Sequence, residues 1–292
     1  MVTASLAHSL TPSPLAFVRD AWSRDHVPAV VGEHRALAAA RPAPPEKFTA
    51  LVIAQLLHGV GGAWSLVSAI ARAHARAHAG ADRVHFFLDR ARLPADADCT
   101  AVATLLLLAT NCTLERDAHR AFDGIARNTT PEGVVATYFE PTGDRANIVD
   151  AVVCANVLRL AHRLGRADEV APTARYLEAL VQRGDHLAGS RYYPSPDSLL
   201  YALALGEPFD ALRAAVHARI GASDSVLDLA QRCIAADRLG LANYRDRERL
   251  AEHQLADGTW PAEGWFCCGR TRVWFGSRAL STAFALAALE PL

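Results

Sequence analysis

Apolar residues recur at three- and four-residue spacing along most of this 292-residue chain, a pattern typical of amphipathic helices. Capping signals agree with the spacing, since Ser223 and Asp224 can start a helix and Gly165 can end one. Strand signals are few, because only residues 134–139 and 265–275 have an extended pattern. Helices are predicted over residues 45–57, 63–79, 98–109, 114–127, 147–164, 167–182, 196–205, 208–220, 223–239, 246–255 and 277–289.

About eleven helices joined by turns that contain proline or glycine predict an all-α protein in which helix pairs form a ring or a stack. Residues 1–45 carry scattered prolines and are predicted to form an N-terminal arm with a short helix at 15–22. Residues 46–292 are predicted to form the helical domain. A chain of this length can bury a large hydrophobic core.

Composition excludes several classes of protein. The net charge of −1 argues against nucleic acid as a partner, and the 51% of hydrophobic residues indicates a globular chain. No run of about 18 or more uncharged apolar residues occurs, so no transmembrane helix is predicted. The N-terminus lacks the pattern of a signal peptide, and we predict a cytoplasmic protein. Lys47 is the only lysine, and the richness in arginine and alanine indicates a GC-rich bacterial genome.

The cysteines and histidines do not predict a metal site. The six cysteines have no CxxC spacing, which favours free thiols in a reducing compartment over disulfides. The adjacent Cys267 and Cys268 cannot both point into one simple site. His74 and His78 are four residues apart, but their Ala/Arg/His run has the composition of a solvated helix face. No glycine-rich phosphate loop is present, and no cofactor is predicted.

The segment LPADADCTA at residues 93–101 is the strongest candidate for chemistry. Asp96 and Asp98 precede an apolar run in which a helix is predicted to start. An Asp-x-Asp in that position is more often a helix cap and a first-turn acid. A carboxyl group buried there could also stay protonated near neutral pH and act as a strong acid, because burial disfavours its charged form.

The same segment resembles the acid motif of the class II terpene cyclases. Squalene–hopene cyclases have Asp-x-Asp-Asp-Thr-Ala at this place, and oxidosqualene cyclases have Asp-Cys-Thr-Ala. In that family the aspartate that corresponds to Asp98 protonates an alkene or an epoxide. The resemblance implies that Asp96 and Cys99 hydrogen-bond this acid and tune its proton affinity. Cys99 would then be the oxidosqualene-type variant of the motif.

A second segment, QLADGTW at residues 254–260, fits the Gln-x-x-x-Gly-x-Trp pattern of the QW repeat in the same superfamily. The physical expectation is a helix that ends near Gln254, an Asp-Gly turn, and Trp260 packed over the helix end. The resemblance implies the squalene-cyclase-like α/α barrel. The family's cyclases usually have two such domains with the cavity between them, whereas this chain has room for roughly one.

Cyclisation would also require an apolar cavity with aromatic faces, since a ring facing a cation contributes about 0.5–2 kcal/mol. Aromatic residues are concentrated at presumed helix ends and loops, where core or turn packing is the alternative role. Asn156, on an otherwise apolar helix face, is predicted to be buried and to bond either a ligand or a neighbouring loop. The candidates for substrate binding are Asn156, Trp64, Tyr138, Phe139, Trp265, Phe266, Trp274 and Phe275.

Three functions are therefore considered. The first is a class II-type terpene cyclase acting on a hydrophobic isoprenoid with Asp98 as general acid, for which Mg²⁺ is implied only if the substrate bears a diphosphate. The second is a protein-prenyltransferase β-subunit-like protein, whose zinc motif would need Asp98 and Cys99 to stand one residue apart rather than side by side. The third is a non-catalytic barrel that binds a hydrophobic ligand or a partner subunit. Peripheral membrane contact and oligomer formation are compatible with these functions.

Overall fold

A computed structural model describes residues 13–25, 29–33, 35–37, 40–140, 148–269 and 273–290. The described residues form twelve α-helices, in agreement with the predicted all-α class. The helices are α1 Pro14–Asp25, α2 Phe48–Leu57, α3 Trp64–Ala77, α4 Ala97–Ala109, α5 Glu115–Arg127, α6 Ala151–Arg163, α7 Ala171–Gln182, α8 Pro196–Ala204, α9 Asp210–Arg219, α10 Val226–Arg238, α11 Tyr244–Glu252 and α12 Arg278–Leu289.

The even-numbered helices form a closed inner ring. Each of α2, α4, α6, α8 and α10 packs against the next even-numbered helix, and α12 closes the ring by packing on α2. Helices α3, α5, α7, α9 and α11 pack on the outside of this ring. Their burial differs accordingly: α4 is buried on all sides from Ala97 to Leu106, whereas α5 buries one stripe that includes Phe122 and Ile125. Amphipathic outer helices thus enclose an apolar inner ring.

The described part of the predicted N-terminal arm packs against the ring. Helix α1 contacts α12, and strand β1 (Val30–Gly32) pairs antiparallel with both β2 (Arg41–Pro42) and β6 (Trp274–Ser277). Residues 1–12 lie outside the described residues. Among the described helices, none combines the length and the apolar character needed to cross a membrane.

The extended pattern predicted at 265–275 corresponds to two strands. Strand β5 (Glu263–Cys267) pairs antiparallel with β6, and Phe266 lies opposite Phe275. A second small sheet pairs β3 (Val84–His85) with β4 (Ala95–Asp96), directly before α4. This arrangement ties the start of α4 to the loop that follows α3.

The prediction of an extended segment at 134–139 was wrong as a strand, since these residues make only isolated bridges. Their backbone N–H groups pair with four separate parts of the chain: Val135 donates to Thr173 Oγ1, Ala136 to Asn128, Thr137 to Ile148 and Phe139 to Ala95. No single partner strand is available, so the apolar alternation marks a buried loop.

Capping side chains define the starts of five inner helices at one end of the ring. Asp96 caps α4, Asp150 caps α6 and Ser195 caps α8. Ser225 caps α10 and Ser277 caps α12 in the same way. The helix predicted from residue 147 begins at Ala151, because the Asp150 carboxylate accepts the first free N–H groups.

The turn after α11 has the geometry expected of the QLADGTW segment. Gln254 Nε2 donates to the carbonyl oxygen of Gly258 at 2.8 Å, and Gly258 has a φ of 80°. The indole Nε1 of the buried Trp260 donates to the carbonyl oxygen of Leu250 at 2.7 Å. The tryptophan therefore satisfies a carbonyl that the end of the helix would otherwise leave unpaired.

The expectation of a solvated face at His74 and His78 was wrong. His74 is buried, and its ring stacks on that of His78 at 4.3 Å. Burial lowers the pKa of His74 to about 3 and that of His78 to about 4. The polar composition around His74 and His78 did not indicate that this part of α3 packs against neighbouring elements. Among the described residues, no three His, Cys, Asp or Glu side chains group in a way that could hold a metal ion.

Candidate active site

The acidic motif forms the first turn of α4. Asp96 is the N-cap: its Oδ1 accepts a hydrogen bond from the backbone N–H of Cys99 at 2.7 Å. Its backbone carbonyl accepts from Thr100 Oγ1 at 2.7 Å. Asp98 follows in the first helical turn, where its side chain is buried. The local sequence thus places both carboxyl groups at the same end of an inner helix.

Asp98 has two hydrogen-bond donors from elements distant in sequence. Asn156, on α6, donates from Nδ2 to Oδ1 of Asp98 at 2.7 Å. The hydroxyl of Tyr193, in the loop before α8, donates to Oδ2 at 2.5 Å. The Asn156 amide thus bonds the acid itself and not a neighbouring loop, while a ligand contact of Asn156 stays a prediction.

The loop that carries Tyr193 is fixed on two sides. Asp150 Oδ2 accepts from the backbone N–H of Tyr192 at 2.9 Å, and the Tyr192 carbonyl accepts from Cys267 at 2.7 Å. Gly189 opens the loop with a φ of 69°, and a Cβ there would lie 2.1 Å from the carbonyl oxygen of Pro194. Only glycine fits this approach, so the loop geometry depends on that residue.

Burial raises the pKa of both aspartates. The pKa of Asp98 is raised to about 6 by burial, against the opposing effect of the Tyr193 and Asn156 donors. The pKa of Asp96 is raised to about 7, first by burial and then by the charge of Asp98. The Cys99 thiol is also buried, and its pKa is well above the usual range. A proton can therefore reside on this pair near neutral pH.

The two carboxyl groups line a cavity at the capped end of the ring. The cavity encloses about 570 Å³ that protein atoms do not fill, counting the part open to solvent at its mouth. Half of its lining residues are aromatic. Of the residues predicted to bind substrate, Tyr138, Phe266 and Phe275 line it together with Asp96, Asp98 and Cys99. Five further aromatic residues line it that the sequence did not single out for binding: Phe48, Phe86, Phe87, Tyr192 and Tyr193.

These rings form an ordered cluster. The rings of Phe266 and Phe275 stack across β5 and β6 with centroids 5.3 Å apart. Phe86 meets both of them edge-on, at 5.6 Å and 5.7 Å. Aromatic faces and edges are fixed by this packing and stand beside the acid.

The other predicted binding residues lie outside the cavity lining. Trp265 packs behind Tyr193 at 5.3 Å and donates from Nε1 to Ser198 Oγ. Trp274 lies under the guanidinium group of Arg35. Phe139 is covered in the same way by Arg83. Trp64 is 54% exposed and contacts His58 at the start of α3.

The sequence did not predict most of the aromatic residues that line the cavity, because their relation to Asp98 is not local. The Tyr192-Tyr193-Pro194 run was visible as the lead into a helix, but nothing local relates it to Asp98. Phe86 and Phe87 follow β3 as an adjacent aromatic pair in a loop, which was the one available signal for them.

Comparison with known proteins shows that this chain is similar to terpene cyclases. Residues 29–164 match the family described as the sesquiterpene cyclase astC-like C-terminal domain. Over 207 residues the chain is 29% identical to the drimenol cyclase drtB of Aspergillus calidoustus, covering 67% of this chain and 38% of that protein. The chain thus spans well under half the length of that relative.

Solved structures share the fold. The type II terpene cyclase MstE from Scytonema superposes with a TM-score of 0.68 at 15% identity, over 94% of this chain and 95% of that one. A protein from Actinoplanes superposes with a TM-score of 0.67 at 18% identity, over 85% of this chain and 90% of that one. The ring of inner and outer helices is therefore an α/α barrel of the type that these cyclases have. The chain is thus similar to class II terpene cyclases in its fold and in the acidic motif at the capped end of the ring.

Proposed function

We propose that this protein catalyses the protonation-initiated cyclisation of an isoprenoid, with Asp98 as the general acid. One observation carries the proposal: a buried carboxyl group, hydrogen-bonded by Tyr193 and Asn156, lines a cavity in which half of the lining residues are aromatic. The similarity to a drimenol cyclase and to the fold of a type II terpene cyclase supports the same reaction class.

The two donors set the strength of the acid. Both carboxyl oxygens of Asp98 accept a hydrogen bond, Oδ1 from the Asn156 amide and Oδ2 from the Tyr193 hydroxyl. In the first step the O–H bond of Asp98 breaks, and the π electrons of a substrate alkene, or an epoxide oxygen, form the new bond to hydrogen. The resulting carboxylate is stabilised by the Tyr193 hydroxyl and the Asn156 amide, which strengthens the acid.

The aromatic wall would stabilise the carbocations that follow. Rings that face a cation contribute about 0.5–2 kcal/mol each, and more where water is excluded. Phe266, Phe275 and Phe86 are the best placed, because their mutual packing fixes their orientation beside the acid. The reaction would end when the last cation loses a proton or captures water.

The substrate is proposed by chemical class only. Structures of MstE variants are described as complexes with geranylgeranyl dihydroxybenzoate as substrate and with merosterolic acid A as product. We infer that this chain accepts an isoprenoid chain with a terminal alkene or epoxide. A diphosphate substrate would imply Mg²⁺, but the described residues offer no cluster of three metal-ligating side chains, so no step is assigned to a metal.

The decisive experiment compares the wild type with Asp98→Asn on a panel of farnesyl, geranylgeranyl and epoxidised isoprenoids, with products analysed by gas chromatography and mass spectrometry. A cyclic product from the wild type that Asp98→Asn does not form is expected. Asp210→Asn, an exposed aspartate on the outer helix α9, is the matched control and should keep the wild-type activity. A cyclic product formed equally by Asp98→Asn would refute the assignment of the acid.

The two other functions make different predictions. A prenyltransferase-like protein should bind zinc stoichiometrically, which metal analysis of the purified protein would show. A non-catalytic barrel should bind isoprenoids without turning them over, in the wild type and in Asp98→Asn alike. The buried acid at the aromatic cavity favours the cyclase over both.

A further inference from the structure

A second cavity lies at the other end of the barrel from Asp98. Helix α4 runs between the two: Asp98 in its first turn lines the aromatic cavity, whereas Leu105 and Ala109 line the second one. Asp98 and Ala109 are about 16 Å apart along the helix at 1.5 Å per residue. This lower cavity encloses about 1200 Å³, counting its open mouth. Its apolar walls come from the C-terminal ends of the inner helices.

Two arginines face the lower cavity without a carboxylate partner. Arg159, on α6, is half-buried, and its Nη1 donates to Oε1 of Gln55 at 3.3 Å. Arg238, the last residue of α10, lines the same cavity. Within the described part of the chain, no carboxylate lies within ion-pair distance of either guanidinium group. Burial and the charge of Arg238 both lower the pKa of Arg159, so the positive charge there is not compensated.

The two carboxylates that line the cavity have other partners. Asp237 pairs with Arg247, which lies on α11. Glu290 accepts a hydrogen bond from the backbone N–H of Gly61 at 3.1 Å. Neither acid lies within ion-pair distance of Arg159 or Arg238.

Tyr201 adds a third donor to the same wall. The residue is buried on α8, and its side chain lines the lower cavity. Burial raises the pKa of its hydroxyl to about 12, so the O–H remains a donor at neutral pH. Two guanidinium groups and a phenol therefore line the lower cavity together with apolar side chains.

We propose that the lower cavity is a binding site for a small oxyanion of the phosphate or diphosphate class, separate from the site of cyclisation. Guanidinium groups bind such anions through paired charge-assisted hydrogen bonds. The half-buried guanidinium group of Arg159 has a neutral amide as its only side-chain partner among the described residues, which leaves it with unused donors and an unneutralised charge. A bound anion would accept hydrogen bonds from the unused donors and would neutralise the charge.

The competing role is structural. The C-terminal ends of α4, α8 and α10 carry the negative ends of the helix dipoles, and positive side chains are favourable there without any ligand. An oxyanion-binding site should respond saturably to an added oxyanion, whereas arginines with a purely structural role should not.

The test is calorimetric titration of the full chain with inorganic diphosphate, and separately with inorganic phosphate, at ionic strength matched with chloride. Arg159→Met removes the charge but keeps the apolar stem. Arg72→Met, an exposed arginine on the outer helix α3, is the matched control. The wild type and the control should bind diphosphate saturably, and Arg159→Met should bind it about tenfold or more weakly, because charge-assisted hydrogen bonds are lost.

Asp98→Asn separates this site from the cyclisation site. It should bind inorganic diphosphate as the wild type does, whether or not the protein cyclises isoprenoids. If Arg159→Met does not fold, Arg238→Met serves instead, since Arg238 is exposed and makes no ion pair with a described residue. An absence of saturable binding to the wild type, or binding that both arginine variants leave unchanged, would overturn the proposal and leave the structural role.

Discussion

The hydroxyl of Tyr193 lies 2.5 Å from Oδ2 of Asp98, although 95 positions separate the two residues in the chain. A hydrogen bond to a carboxylate stabilises its charged form and so makes the protonated form a stronger acid. The contact connects the loop before α8 to the first turn of α4. It makes the strength of the acid depend on the position of a loop.

Replacement of Tyr193 by phenylalanine should weaken the acid. Without the donor the pKa of Asp98 rises, and kcat should fall by about 10- to 100-fold, which is the range expected for one hydrogen bond to a charged group. The descending limb of the pH profile of kcat should move to higher pH, because Asp98 then stays protonated longer. Tyr244→Phe, at a residue 76% exposed, should change neither quantity. A pH profile unchanged in Tyr193→Phe would show that the hydroxyl does not act through Asp98.

The pH dependence of the wild type follows from the raised pKa of Asp98. The proposed reaction needs the protonated carboxyl group of Asp98, so kcat should be highest at low pH and fall as the pH rises through about 6. Steady-state rates between pH 5 and 8 measure this fall in kcat. Circular dichroism defines the part of that interval in which the fold is intact. A rate that increases through that interval would contradict an acid role.

The same raised pKa predicts a stability cost at neutral pH. The folded state holds the Asp98 proton up to a pKa of about 6, whereas the unfolded chain releases it near the usual 3.9. Stability should therefore fall as the pH rises between these values, because the folded state binds more protons there. Asp98→Asn has no such cost and should be more stable than the wild type at pH 7.5, by roughly 2–3 kcal/mol at one pKa unit per 1.36 kcal/mol.

Urea denaturation at pH 4.5 and pH 7.5 measures this difference. The advantage of Asp98→Asn over the wild type should be small at pH 4.5 and larger at pH 7.5. An advantage of the same size at both pH values would point to a change in packing instead of the lost titration.

Gly189→Ala should disturb the loop that holds Tyr193. The added methyl group would meet the Pro194 carbonyl oxygen, which lies 2.1 Å from an ideal Cβ position. Gly165→Ala is a matched control, since Gly165 has a similar φ of 67° and no atom within 4 Å of its Cβ position. Both variants should lose about 1 kcal/mol or more from backbone strain. Only Gly189→Ala should also lower kcat, and equal kcat losses in both variants would argue against a role for the loop.

Phe266→Leu should weaken the stabilisation of the carbocations in the proposed reaction and leave the pKa of Asp98 unchanged. Loss of one aromatic face is expected to cost about 0.5–2 kcal/mol, which is roughly 2- to 30-fold in rate, or to increase the share of prematurely terminated products. Phe139→Leu, which removes a ring outside the cavity beneath Arg83, is the control. Product analysis by mass spectrometry distinguishes a lower rate from a larger share of prematurely terminated products. An unchanged rate and product distribution in Phe266→Leu would exclude the ring from the reaction.

The sequence by itself determined the helices and the candidate acid. Both depend on signals that are local: apolar spacing over one or two turns, and capping residues such as Asp96 next to the turn they cap. The Asp-Gly turn before Trp260 is local for the same reason, since its hydrogen bonds join residues at most ten positions apart.

Only the tertiary structure decided what surrounds the acid. Asn156 and Tyr193 reach Asp98 because α4, α6 and the loop before α8 meet at one end of a closed ring. The aromatic wall combines residues from α2, from the loop after β3 and from the β5–β6 hairpin. Trp64 lies outside the cavity because it stands at the exposed start of the outer helix α3. Composition and periodicity specify which face of a helix is apolar, but the closure of the ring specifies which of those faces meet.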